Sequence, residues 1–294
     1  MKVSDGQDSG RGEAVPITRY NQSVASVLAQ IESMKGVPSL DRQQLQKLLP
    51  AGAARNALDC ALWDLESKIS GKRAWELANI PIVDEVETSL TISLDTPAVM
   101  AAAAKANANA PILKLKLGGD NLDLPRVEAV REAAPATRLL IDANESWSPS
   151  HYRKIVPALS GLGVELIEQP FPADADEVLE TLDHPVPVCA DESCHTSADL
   201  PRLTNRYEML NVKLDKTGGL TEALLLTERA RRGEFKLLMG CMVCTSLGIA
   251  PARLLASVTD YADLDGPLLL AGDRHHRLPY QNGRIGTPPR QLWG

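Results

Sequence analysis

The chain has 294 residues, 44% hydrophobic and 23% charged, which is ordinary globular material and long enough for one barrel of about 200 residues plus a smaller unit. A net charge of −7 and a pI near 5.4, with no basic stripe, argue against nucleic acid as a partner. No apolar run approaches the roughly 18 residues of a membrane span, and the first residues lack a signal peptide's apolar core, so the expected setting is cytoplasmic.

Residues 1–85 read as a separate capping domain. Asp5 to Pro16 is polar and carries Gly6, Gly10 and Gly12, which suits a hairpin turning near Gly6. Ser23 to Met34 has helical apolar spacing behind an N-capping serine. Leu40 to Leu49 is a second short helix, and Ala51 to Ser70 is a long amphipathic helix that Gly71 ends. Strands and helices do not alternate here, which places these elements outside the barrel. From residue 86 they do. Strands are predicted near 86–93, 112–117, 138–142, 164–168, 188–191, 209–213 and 236–240, with helices between, then a helix near 246–257 and a last unit from Tyr261 to Leu270. The barrel is thus expected over 86–270. The tail, 271–294, is rich in Gly, Pro and Arg and is expected to pack back on the capping domain. The five cysteines (60, 189, 194, 241 and 244) mostly sit in apolar runs and read as buried free thiols.

The predicted strand ends carry the chemistry. Strict alternation in Ile112-Leu-Lys-Leu-Lys-Leu117 puts Lys114 and Lys116 on one face with Ile112, and Leu113, Leu115 and Leu117 on the other. Later runs end at Asp142, Glu168, Asp191 and Lys213. From Lys116 onward these ends are 26, 26, 23 and 22 residues apart, each interval fitting one strand and one helix. A parallel barrel gathers its strand ends at one mouth, so these side chains meet. Taken singly, a strand lysine reads as edge protection and a strand-end carboxylate as a helix cap. Three carboxylates in successive units, flanked by lysines, favour a site.

Asp142, Glu168 and Asp191 are hard oxygen donors with no His or Cys among them, which suits Mg²⁺ rather than zinc. Such an ion stabilises an enediolate formed beside a carboxylate and lowers the pKa of a nearby lysine. Lys116 and Lys213 come from the second and sixth strands, nearly opposite in an eight-membered ring. Bases on opposite faces of one carbon permit racemisation or epimerisation. A Schiff-base aldolase would need one lysine and leave three carboxylates without a task. Lys216 reads as a loop residue, and the histidines attract no catalytic role.

The segments Lys114-x-Lys116, Asp142-Ala-Asn-Glu145, Glu168-Gln-Pro170, Ala190-Asp-Glu-Ser193 and Lys213-Leu-Asp-Lys-Thr-Gly-Gly219, with the helix from Ala54 to Leu65, resemble the enolase superfamily in its muconate lactonising enzyme subgroup. Leu48 to Cys60, Ala190 to Thr196, Gly240 to Ser246 and Asp263-Leu-Asp-Gly-Pro267 resemble, more narrowly, the L-Ala-D/L-Glu epimerases (dipeptide epimerases) of enterobacterial type. The resemblance covers essentially the whole chain. It implies an α/β fold, a modified (β/α)7β TIM-type barrel with a smaller α+β capping domain. It also implies Mg²⁺ on Asp142, Glu168 and Asp191, Lys116 and Lys213 as acid/base catalysts, and Lys114 assisting at the metal-bound carboxylate. Asp263 and Asp265, on one face of the last strand, would bind the α-ammonium of a dipeptide. Without that context an Asp-x-Asp also reads as turn chemistry.

The implied reaction is epimerisation of L-Ala-D-Glu to L-Ala-L-Glu in murein peptide metabolism, and family members are often homo-oligomers. The family pattern has a strand, a mobile loop and a second strand ahead of the segment matching Gly10-Arg-Gly-Glu13. Met1 lies only a few residues ahead of it, so the capping domain is expected to lack about thirty residues. Arg19 is then the candidate cation for a substrate side-chain carboxylate, against the plain reading of a solvated arginine. The alternatives are N-acylamino acid racemase or o-succinylbenzoate synthase chemistry, whose substrates offer no free ammonium to Asp263 and Asp265, and a truncated non-catalytic capped barrel.

Overall fold

The computed structural model describes all 294 residues. The chain opens with the expected hairpin, β1 (Lys2–Ser4) against β2 (Ser9–Arg11). Three helices follow. In α1 (Val24–Ser33) the Ser23 hydroxyl accepts from the Ser26 amide, and in α2 (Arg42–Leu48) the Asp41 carboxylate accepts from Gln44. The third, α3 (Ala53–Ser70), stops at Gly71, whose φ of 68° is the left-handed conformation that ends helices. Ala54, Leu58 and Leu62 of α3 pack with Val27, Leu45 and Leu49, while its Cys60 and Trp63 join the apolar layer around the barrel. Backbone contact between β2 and α3 requires glycine, since a Cβ on Gly10 would lie 1.9 Å from the Ala61 carbonyl oxygen. Arg55 ties α3 to the barrel by donating to the Thr217 and Gly218 carbonyls.

The stretch expected as one strand over 86–93 is two. Residues β3 (Glu85–Glu87) leave the barrel to pair with the tail, and β4 (Ser89–Ile92) is the first barrel strand. Thr88 is the pivot: its amide donates to Gly283 of the tail and its hydroxyl accepts from Leu264. Then follow β5 (Ile112–Lys116), β6 (Arg138–Asp142), β7 (Val164–Glu168), β8 (Val188–Ala190), β9 (Met209–Val212), β10 (Lys236–Gly240) and β11 (Tyr261–Asp263), each parallel to its neighbour. Helical segments join them, and only the short 3-10 turn Gly266–Leu269 follows β11, so the barrel is of the (β/α)7β kind.

Alternation works as the sequence requires. Ile112, Leu140, Leu166, Cys189, Met209 and Leu238 fill the barrel interior, while Leu113, Leu115, Leu139, Ile141 and Ile167 face the helices. Lys114 and Lys116 therefore stand above Ile112 at the C-terminal mouth. The seam between β11 and β4 has no backbone ladder. It is closed by Ser89 Oγ donating to Asp263 (2.6 Å), the Thr91 amide to Asp265 (2.7 Å) and the Leu264 amide to Thr88 Oγ1 (2.8 Å).

The tail forms β12 (Tyr280–Gln281) and β13 (Arg284–Gly286), which pairs with β3. It then crosses to α3, where Trp293 Nε1 donates to the Cys60 carbonyl and the Gly294 amide to Asp64. All five cysteines are free, and no helix is long and apolar enough to cross a membrane.

Candidate active site

Lys114 is the hub of the mouth. With 2% of its side chain exposed, its ammonium lies 2.7 Å from Glu168, 2.7 Å from Asp263 and 3.1 Å from Asp142. Burial pulls its pKa down, but Asp142, Asp263 and Glu168 outweigh that and hold it well above the lysine range. Burial likewise opposes ionisation of Asp142, yet Lys114 and Lys116 bring its pKa down to about 2. Glu168 goes the other way, to about 7, driven by burial and then by the charge of Asp142.

Asp191 faces the second cationic group. Its two oxygens accept from Lys213 (2.5 Å) and from Lys216 (2.6 Å), which against burial hold it well below the carboxylate range. Lys216 is thus not the loop residue expected. The turn Leu214–Thr217 is helical and folds Lys216 back beneath the mouth, where its buried ammonium also reaches the Asp191 and Asn211 carbonyls. Burial lowers the pKa of Lys213 but Asp191 and Glu168 raise it overall. The protein's own carboxylates thus outweigh the ammoniums beside it, and the lowering expected from sequence belongs to the Mg²⁺-bound site.

Lys116 donates to Asp142 (2.5 Å) and to Asn144 Oδ1 (3.0 Å), and with 32% of its side chain exposed it is the open member of the set. Lys116 and Lys213 both line a cavity of about 360 Å³ with Asn144, Asp191 and Glu192, and Val15, Ile17, Arg19 and Tyr20 reach it from the N-terminal segment. Arg19 is exposed and forms a two-pronged pair with Glu145 (2.6 and 2.9 Å), so it stands at the rim rather than free in solvent. Asp263 ends β11 as expected. Asp265 does not lie on that strand: the chain has already turned, and its carboxylate is held by the Thr91 amide.

Sequence reasoning missed Gln169 as well as Lys216. Buried beside Glu168 with φ of 34°, its side-chain oxygen accepts from the Asp191 and Ser193 amides and so fixes one strand end against the next. Its place between Glu168 and Pro170 was the only available signal.

The donor set fits a divalent cation. Asp142, Glu168, Asp191, Glu192, Asp263 and Asp265 face Lys114, Lys116, Lys213 and Lys216, an excess of two negative charges when all are ionised. Asp142, Glu168 and Asp263 already converge on one cation, the Lys114 ammonium, while Asp191 pairs with Lys213 and Lys216, so the three expected ligands do not close around a common point. Hard oxygens with no thiol or imidazole suit Mg²⁺.

Residues 98–291 match the enolase C-terminal domain-like family. The chain belongs to that family. Within it, the chain is 48% identical over 282 residues to the L-Ala-D/L-Glu epimerase of Escherichia coli K12, covering 94% of this chain and 87% of that protein. It is 43% identical over 296 residues to an N-acetyl-D-glutamate racemase of Pseudoalteromonas, covering 99% and 93%. An Agrobacterium tumefaciens enolase family member described as homologous to dipeptide epimerases, solved with sodium and L-Ala-L-Glu, superposes with a TM-score of 0.97 at 48% identity, covering all of this chain and 90% of that one.

Proposed function

We propose that this enolase-family enzyme is a Mg²⁺-dependent dipeptide epimerase that interconverts L-Ala-D-Glu and L-Ala-L-Glu in cytoplasmic murein peptide metabolism. The observation that carries this reading is the placement of Lys116 and Lys213, from the second and sixth of eight strands, on one cavity beside a buried carboxylate cluster. One lysine takes the glutamyl α-proton as the C–H bond breaks and its electron pair moves into the α-carboxylate. The other delivers a proton to the opposite face, forming the new C–H bond. Asp142, Glu168 and Asp191 would hold the Mg²⁺, which would supply positive charge beside the substrate α-carboxylate. Lys114 stands by the same carboxylate, Asp263 and Asp265 take the dipeptide ammonium, and Arg19 supplies charge at the rim. Residues 1–85 act as the cap and 86–270 as the barrel.

A second reading, racemisation of N-acetylglutamate, draws support from the 43% relative. Both substrates present a glutamyl α-carbon with an acylated nitrogen and differ in the free ammonium. Asp263 and Asp265, two buried carboxylates at the mouth, favour the dipeptide.

Proton NMR in D₂O tests the proposal. L-Ala-D-Glu should lose its glutamyl α-proton signal while the other diastereomer grows, only with Mg²⁺ present. Exchange without epimerisation would mean that one lysine alone works. No exchange in a folded sample that binds Mg²⁺ would overturn the assignment.

A further inference from the structure

Tyr20 lines the cavity together with Lys213, Asp191 and Glu192, yet its hydroxyl makes no hydrogen bond to the protein. Half-buried tyrosine hydroxyls ordinarily find a partner. The ring is not loose. It packs edge-on against His195, centroids 4.7 Å apart and planes at 79°, and the short helical turn Thr18–Tyr20 is closed by Asn21 in the left-handed conformation. The segment is pinned at both sides, by the Val15 amide donating to Asp215 and by the Arg19–Glu145 pair. Burial, and then the charge of Asp191, keep the phenol protonated, so what it offers is a donor.

The neighbouring donor is Arg19, whose Nε and Nη2 are taken by Glu145 while Nη1 has no partner. Glu192, the acidic group on the same wall, turns its Oε2 into the protein, where it is buried and unpaired. We propose that Tyr20 Oη and Arg19 Nη1 form a two-donor subsite for the side-chain carboxylate of the substrate residue being inverted, with Tyr20 the specificity-determining member. This rests on the dipeptide reading above.

The test compares L-Ala-L-Glu with L-Ala-L-Gln and L-Ala-L-Met in wild type and in Tyr20→Phe, which keeps the ring against His195. In the variant, kcat/KM for L-Ala-L-Glu should fall about 10- to 100-fold, mostly through KM, as expected for losing one hydrogen bond to a charged group. Values for the two neutral substrates should change less than about threefold. An equal fall for all three, or no change for any, would overturn the subsite while leaving the dipeptide reading intact. Failure of wild type to epimerise any of the three would overturn both.

Discussion

Lys114 donates a 2.7 Å hydrogen bond to Asp263, reaching from the second barrel strand past the first to the eighth. The same ammonium serves Asp142 and Glu168, so one lysine balances three buried carboxylates. Breaking such a group from one side costs about 3–5 kcal/mol. Lys114→Met should therefore lower the thermal midpoint by several degrees in metal-free buffer. Mg²⁺ should restore more of it in the variant than in wild type, as read by melting curves with and without the ion.

Lys116 and Lys213 should fail in mirror-image ways. Lys116→Ala and Lys213→Ala should each lose inversion by about 10²- to 10⁴-fold. Each should retain solvent exchange of the α-proton in one diastereomer only, and the retained diastereomer should differ between the two variants. NMR in D₂O with each diastereomer in turn distinguishes this from a single-base enzyme, in which one of the two substitutions would be harmless.

Replacing both Asp263 and Asp265 with alanine should abolish turnover of L-Ala-D-Glu. Turnover that survives in the variant, or a wild type that prefers N-acetylglutamate over the dipeptide, would transfer the assignment to the second reading.

Two buried acids outside the mouth make stability depend on pH. Burial pushes Asp59 up to about 6, against the Thr221 hydrogen bonds, and pushes Asp215 up to about 6, against those from Val15 and Asn56. Both folded values lie above the ordinary aspartate value, so the folded chain keeps protons that the unfolded chain has released. Stability from this source is complete below about pH 4 and falls as pH rises to about 6, by up to roughly 3 kcal/mol for each group. Denaturant midpoints at pH 4.5 and 7.5 should therefore differ less in Asp59→Asn/Asp215→Asn than in wild type.

The parts of the fold legible in the sequence were those set by local pattern. Alternation in Ile112–Leu117 and the even spacing of Lys116, Asp142, Glu168, Asp191 and Lys213 were enough to bring these residues to one mouth. The serine ahead of α1 and the glycine after α3 marked their helix ends. What escaped depends on distant partners. The break at Thr88 exists because tail residues 284–286 capture β3, and nothing near Thr88 announces it. Lys216 is folded under the mouth by one helical turn too short for a periodicity to register. Asp265 leaves its strand because the Thr91 amide holds it, so a two-residue spacing was read as a shared strand face.

The seam between the first and last strands also bears on how specificity can change. Asp263 and Asp265 hold that seam shut through Ser89 and Thr91, and the same pair is proposed to meet the ammonium of the substrate. A mutation that retunes recognition there loosens the barrel as well, so two traits are inherited through one pair of carboxylates. The wall carrying Arg19 and Tyr20 supports no strand pairing. If the proposed subsites hold, preference for the inverted residue can change on that wall with the barrel intact, whereas a change in recognition of the free ammonium cannot.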